Sequence, residues 1–513
     1  MKVLTTIPKT LTSPERKFST WLLYTALIVS AAILPLIIWK LNLSIVARTG
    51  TRFPGMLDTQ PFELFGFFTT IALSIITYLE IKKSRKKNLA AVAPILLPFF
   101  VLLNLLFTLT EFASKSSDYM CYENAARSVA NSLNPYNTGS PSCYLYPPLF
   151  AQGLAFLYQM VNQLVNKGNL FPSGDGGVKS FYVVFYIYQC IQFTQLILAW
   201  FLCYLFSRKI GLKVLYASLF VSALFLFNNP LIRTLKFSQV NLWLLNSFLA
   251  AILLLRHYPL LSGFSVALGG HLKLYSFVLM VPWSLTKKWR AVFGAILFFA
   301  VILILQTGFG QDWTLWQQFF QYFREVEKPT NYRNNGLYGI VYNFFKIPHN
   351  LIGLSFDAVP VVVFLLSLLI IIWFALRFIQ REKAYLQQSK NVDSETRDFL
   401  DEVFRLYGHS VDAIALSLLI SPSVWEHHYV IAIPIALWAI ATRSSTQPWL
   451  VGLGVFLVFC LPTSDFFPLS YHRVIGLLIL VYSVSPQLIQ NKIIQNKIRS
   501  PNYLSSASDL SST

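Results

Sequence analysis

A chain of 513 residues that is 55% hydrophobic and 12% charged carries more apolar surface than one water-soluble core can bury, which makes it a polytopic membrane protein of the all-α class. No alternating strand pattern competes, which argues against a barrel. The formal charge of +19 does not point to nucleic acid, because Lys and Arg gather at the ends of apolar runs, as in Lys82-Lys83-Ser84-Arg85-Lys86-Lys87 and Lys287-Lys288-Trp289-Arg290, where they orient helices and meet anionic headgroups.

Residues 1–88 read as a basic cytoplasmic lead plus two added transmembrane helices, 21–40 and 61–80. The length and bulk of 21–40 indicate a retained helix rather than a cleaved signal. Since the basic cluster 82–87 stays in the cytoplasm, the run 89–110 crosses outward and delivers the polar stretch 111–148 to the other face. Asp118 lies near its start. Beyond it Tyr122, Ala125, Ala126, Val129 and Leu133 recur at helical spacing, with Glu123, Asn124 and Arg127 opposite, which predicts a short amphipathic helix on the bilayer surface. Asn134-Pro135-Tyr136 stops that helix, and Tyr146-Pro147-Pro148 starts the next run. Taken alone, Asp118 reads as a solvated N-cap; with the pattern around it, it reads as a catalytic acid. Cys121 and Cys143 share this loop and either bond, if it faces an oxidising space, or remain two free thiols. The five cysteines match no metal-ligand spacing.

Six apolar runs follow, 149–165, 181–206, 214–227, 240–255, 261–283 and 291–306. Either all six span, or 149–165 lies in the interface and 261–283, broken at Gly269-Gly270, forms a re-entrant hairpin. Both readings put 284–290 inside and 307–335 outside; the basic 207–213 mildly favours the hairpin. Trp313, Trp316, Phe319 and Phe320 make 307–335 a second outer segment with an interfacial helix. The run 361–378 then leads to an inner segment, 381–405, charged in both signs and helical. Runs 406–424, 429–440, 449–461 and 466–484 complete the transmembrane region 336–485, with 424–428 outside. Residues 486–513 read as a disordered cytoplasmic tail. The total is about 12–14 crossings at roughly twenty residues each.

Ionisable and amide groups inside or beside such runs are functional candidates by default. Besides Asp118 they form three sets. Phe237-Ser238-Gln239-Val240-Asn241-Leu242 opens a helix with two amides, as site or as ordinary caps. Gly269-Gly270-His271-Leu272-Lys273-Leu274-Tyr275 puts a cation inside an apolar run, where Lys273 either snorkels or meets a phosphate. Ser421-Pro422-Ser423-Val424-Trp425-Glu426-His427-His428-Tyr429 pairs histidines that cannot chelate one metal from a helix, though one can bond a phosphate or the acid while Trp425 faces a sugar ring.

The ordered series SDxxxYxxAA, NPY, YPPLF, QVN, GGHLKLY, KKWRA, NNGLYG and SPxxWxHHYV resembles glycosyltransferase family 87 of the GT-C class over about residues 89–484. The resemblance implies a helical bundle that moves a hexose, typically mannose, from a polyprenyl-phosphate carrier to a lipid or glycan hydroxyl. The module would be 89–335, with a catalytic outer loop 111–148 and a second outer loop 307–335. Asp118 aligns with the base, Lys273 with the mid-chain basic residue, and Trp425, His427 and His428 with the late motif. Tyr122, Asn134, Tyr136, Tyr146, Gln239, Asn241, His271, Tyr275 and Asn335 are the remaining motif residues expected at the substrate. Phe237-Ser238 stands where the family has glycine, and Glu426 where an Asp is often found. Asp58, between the two added helices, is a rival acid without the following pattern.

On this reading one carboxylate deprotonates the acceptor and a single displacement inverts the anomeric centre. The leaving phosphate is already anionic, so no cofactor and no metal is expected. Expected partners are the prenyl-phosphate sugar, the acceptor and membrane lipids, with no nucleic acid. The expected location is the plasma (inner) membrane, multi-pass, with the active site on the non-cytoplasmic face. The competing class is a transporter or flippase of lipid-linked sugar; a transporter should show inverted halves, a pattern the sequence lacks.

Overall fold

The computed structural model describes residues 97–99, 101–106, 116–137, 143–167, 176–325, 330, 333–353, 355–390, 392–442, 448–461 and 468–484. The chain divides into two compact units, Met1–Asn104 and Leu105–Thr513, and nearly all of the described residues belong to the second. The added helices 21–40 and 61–80, Asp58 and the tail 486–513 lie outside the described residues. No strand occurs among those described, and the protein is an all-α, polytopic membrane protein. Helix is the segment-local way to satisfy backbone N–H and C=O groups away from water.

The catalytic-loop candidate forms α1 (Ser117–Ala130). Ser116 caps it, its hydroxyl accepting from the Tyr119 amide at 3.1 Å and donating to the Phe237 carbonyl at 3.0 Å. Asp118 is therefore not the cap. α1 does not simply rest on a bilayer: Tyr119 packs on Phe185 and Tyr188, and Tyr122 packs edge-on to Phe150. The predicted face holds at Tyr122, Ala125 and Ala126 but not at Leu133, which is 61% exposed because the helix has already ended. Glu123, expected on the polar side, is buried and paired with Arg127 at 2.5 Å. Cys121 and Cys143 are bonded, which ties α1 to the segment leading into α2 (Pro148–Lys167). There the Tyr144 hydroxyl accepts from the Ala151 amide at 3.0 Å, serving a donor that the first helical turn leaves open.

α3 (Gly176–Lys209) is followed by α4 (Val214–Leu226) and α5 (Asn229–Lys236), which meet at a 57° bend. Asn228 makes the bend by capping α5, accepting from the Leu231 amide at 2.8 Å. α6 (Asn241–Leu254) and α7 (Pro259–Leu272) come next, then a short 3-10 stretch, Leu274–Leu279, and α8 (Met280–Leu285). The expected break in 261–283 exists, but it falls at Lys273, whose backbone is extended, and α7 runs straight through Gly269-Gly270. Those glycines serve packing instead: a Cβ on Gly269 would stand 2.1 Å from the Ser276 hydroxyl oxygen. α7 lies against α9 (Trp289–Gln306) at Gly263, where an added Cβ would meet the Ala291 carbonyl at 2.4 Å.

α10 (Thr314–Glu325) is the predicted second outer helix, with Trp316 and Phe319 buried and Trp313 and Phe320 exposed. α11 (Leu337–Ile352) leads to α12 (Ala358–Gln388), which continues past the expected end of its run at 378. Arg381, expected on a charged helical segment, lies on this continuous helix. It is fully buried, and with Arg377 it grips Asp412 from the facing helix, at 2.8 Å and 3.1 Å. That facing helix is continuous over Ser394–Ile420, made of α13 (Ser394–Phe399), a π-helical stretch and α14 (Gly408–Ile420). α15 (Ile433–Thr442), α16 (Pro448–Val455) and α17 (His472–Ser483) close the bundle.

Among the described residues four helices are long and apolar enough to cross a membrane, Ser180–Lys209, Trp289–Gln306, Ala358–Gln388 and Ser394–Ile420, or five if the bent α4–α5 pair is one span. The run-based total of about 12–14 crossings also counts shorter apolar helices such as α6, whose reach of about 20 Å falls short of roughly 30 Å of hydrocarbon. α2 is not among the helices long and apolar enough to cross.

Candidate active site

The site is built around a strained turn. Ser238 adopts φ 55°, the left-handed region that favours glycine. α3 holds the turn in place: Tyr188 donates its hydroxyl to the Ser238 carbonyl at 2.6 Å, Gln189 donates to the Ser238 hydroxyl at 3.1 Å, and Gln192 donates to the Gln239 carbonyl at 3.0 Å. These three polar side chains interrupt the apolar run 181–206, and that interruption is the sequence signal for them.

The turn aims Gln239 at α1. Its amide nitrogen donates to Oδ2 of Asp118, and its Oε1 accepts from the Tyr122 hydroxyl at 3.0 Å and the Tyr146 hydroxyl at 2.7 Å. Two tyrosine donors on Oε1 fix the amide orientation, so the NH₂ must face the carboxylate. Asp118 is half-buried, and among the described residues its Oδ1 receives only Ser117 at 3.3 Å. Burial pushes the Asp118 carboxyl above its ordinary value, opposed by the bonds from Gln239 and Ser117 and by the charge of Lys273.

Lys273 reaches the same region from the α7 break. Its Nζ lies 2.8 Å from Asn241 Oδ1, 2.8 Å from His428 Nε2 and 5.2 Å above the Tyr146 ring. Burial and the Lys273 charge hold the His428 imidazole well below its usual range, hence neutral. His428 Nδ1 lies 3.3 Å from the Trp425 amide nitrogen, and the His427 ring stands edge-on 4.7 Å away. Tyr275 supports the late motif by bonding the Ser421 hydroxyl at 2.8 Å and the Ser423 carbonyl at 2.9 Å.

The remaining expected residues are elsewhere. His271 turns into the core, stacked on Phe299 at 4.2 Å with its Nε2 3.1 Å from the Phe299 carbonyl, because it still belongs to α7 while Lys273 does not. Asn134 closes its own turn by accepting from the Tyr136 amide at 2.9 Å. Tyr136 bonds the Tyr146 carbonyl at 3.0 Å and stacks on Tyr322 of α10, so it joins the segment after α1 to α10. Asn335 bonds the Val424 carbonyl through its backbone at 2.7 Å, whereas the side chain that secures the late motif is that of Asn334, which accepts from the Val424 amide at 2.9 Å and donates to the Pro422 carbonyl at 3.1 Å.

Sequence reasoning missed Arg233. It is buried on α5, paired with Glu426 at 3.2 Å, and its Nη2 has no hydrogen-bond partner among the described residues. Its neighbour Thr234 donates to the His427 carbonyl at 3.2 Å. The charges of Arg233 and Lys273 both act on His427, so the two cations share a neighbourhood able to hold an anion. Among the described residues no group of three or more His, Cys, Asp or Glu side chains could hold a metal ion.

The model of glycosyltransferase family 87 matches residues 144–389. No curated protein and no solved structure matches the chain. The matched stretch contains Tyr146, Arg233, Gln239, Asn241, Lys273 and Tyr275; Asp118 and the Trp425–His428 motif flank it and are bonded to it through Gln239 and Lys273. Residues 144–389 thus match a glycosyltransferase family 87 domain of the GT-C type, and this match supports a membrane glycosyltransferase.

Proposed function

We propose that the enzyme transfers a hexose, mannose being the expected one, from a polyprenyl-phosphate carrier to a hydroxyl of a lipid or glycan, with inversion and with Asp118 as the base. The observation that carries this reading is the pairing of a carboxylate anchored through one oxygen by Gln239 with a cation, Lys273, in the same tyrosine-lined cluster.

Oδ1 of Asp118 is the oxygen left to take the acceptor proton as the hydroxyl attacks the anomeric carbon. The C–O bond to the carrier breaks as the new one forms, and the electron pair leaves on the phosphate. Lys273 and Arg233 would stabilise that anion, and neutral His428 would bond it without repelling a cation. The half-buried Trp425 offers an aromatic face to the sugar. An inverting transfer with a good leaving group needs one carboxylate, in contrast to the two of an inverting hydrolase. The basic clusters 82–87 and 287–290 support placing the site on the non-cytoplasmic face of the plasma membrane.

The test is Asp118→Asn in the full-length protein, with a short-chain prenyl-phosphate mannose and an acceptor extract in detergent. The expected result is a turnover reduced by about 10²–10⁴-fold, with the donor still bound. Turnover close to that of the unaltered enzyme would remove Asp118 from the mechanism.

A further inference from the structure

At the end of α7 opposite Lys273, the first turns of α7 and α9 part around an open groove of about 600 Å³ whose lining includes His257, Tyr258, Leu261, Trp289, Arg290 and Phe293. The Gly263 contact brings the two helices together just beyond it, so the groove is closed on that side by backbone. Tyr258, Leu261, Trp289 and Phe293 are each about half exposed or more, at 59%, 50%, 60% and 59%.

The charges at the rim are unequal in their commitments. Arg256 is paired with Asp398 at 2.7 Å and Glu402 at 3.1 Å, and Lys288 with Asp401 at 3.2 Å. Arg290, in the groove, and Lys287, three residues before it, are exposed and have no ion-pair partner among the described residues. One uncommitted cation, Arg290, therefore stands in an apolar trough flanked by a Trp and a Tyr, the residue types that settle at the headgroup level of a bilayer, and a second, Lys287, is exposed in the turn that leads into α9.

We propose that this groove binds one anionic phospholipid, with its phosphate and headgroup on Arg290 and Lys287 and an acyl chain along Leu261 and Phe293. Charge complementarity selects this occupant: a neutral lipid would leave both cations without a counter-charge, and a free anion would leave the apolar trough open. The site lies about 20 Å along α7 from Lys273, so it is separate from the donor site.

The experiment uses the full-length protein, delipidated in detergent and offered equal phosphatidylglycerol and phosphatidylcholine of matched chains, with retained lipid read by native mass spectrometry. The expected result is preferential retention of one phosphatidylglycerol, with Arg290→Gln and Lys287→Gln each lowering the preference by about five-fold. Lys383→Gln, removing an exposed cation on α12, should leave it unchanged. Equal retention of the two lipids would overturn the proposal, as would an equal effect of all three substitutions, which would mean diffuse attraction. Displacement of the lipid by glycerol phosphate would also overturn it, indicating a headgroup-only anion site.

Discussion

Gln239 donates its amide to one oxygen of Asp118, and among the described residues the other oxygen keeps only a 3.3 Å contact from Ser117. One side of the carboxylate is thus held while the other is open to a further partner.

The first prediction concerns pH. Burial raises the Asp118 carboxyl above the ordinary Asp value, about 3.9, and a base works only when deprotonated. The acid limb of kcat/KM should therefore lie above that value, with activity lost as pH falls through it. An acid limb at or below about 3.9 in the pH–rate profile would contradict the assignment.

Gln239→Leu removes the anchor without adding charge. Turnover should fall by about 10²-fold with little change in donor KM, since orientation rather than binding is lost. Gln239→Glu sets a second carboxylate against Asp118, and like charges raise the pKa further, so the acid limb should move to higher pH. Steady-state profiles of the two variants separate positioning from a merely structural role, which would lower the amount of folded enzyme and leave the limb where it was.

The Cys121–Cys143 bond closes a loop of sequence separation 22. Its loss in Cys121→Ser should reduce stability by about 3 kcal/mol, seen as a lower Tm in detergent. Reductant should lower the Tm of the unaltered protein to a similar extent and leave the variant unchanged.

Asp412 neutralises two buried guanidinium groups, those of Arg377 and Arg381. Asp412→Asn leaves both uncompensated, at a cost of about 3–5 kcal/mol, and should be recovered poorly or melt far below the parent. Asp398→Asn, which removes a 62% exposed partner of Arg256, should change the Tm little.

Much of the site is legible in the sequence because amides and charges stand out against apolar runs. Gln239, Asn241, Lys273 and the 425–428 insert announce themselves in this way, and all four come to the same cluster as Asp118 or its partners. Asp412 lies inside the run 406–424 and carries the same kind of signal, yet its partners are on another helix 31 and 35 residues away, so its pairing cannot be read from local pattern. Arg233 is harder still. It sits in a polar connection that reads as a loop, and its partner Glu426 comes from the far end of the chain. The break in 261–283 is foreseeable, but its position is not: local propensity favours Gly269-Gly270, whereas packing against Ser247 and Ser276 uses the glycines within the helix and moves the break to Lys273.

The close contact of α7 with α9 at Gly263 leaves little room for the pair to slide or shear. The pair therefore acts as a ruler of fixed length: where the hydrocarbon is thinner or thicker than its reach, the lipid must deform around it, and the depth of Lys273 stays set by protein rather than by acyl-chain length.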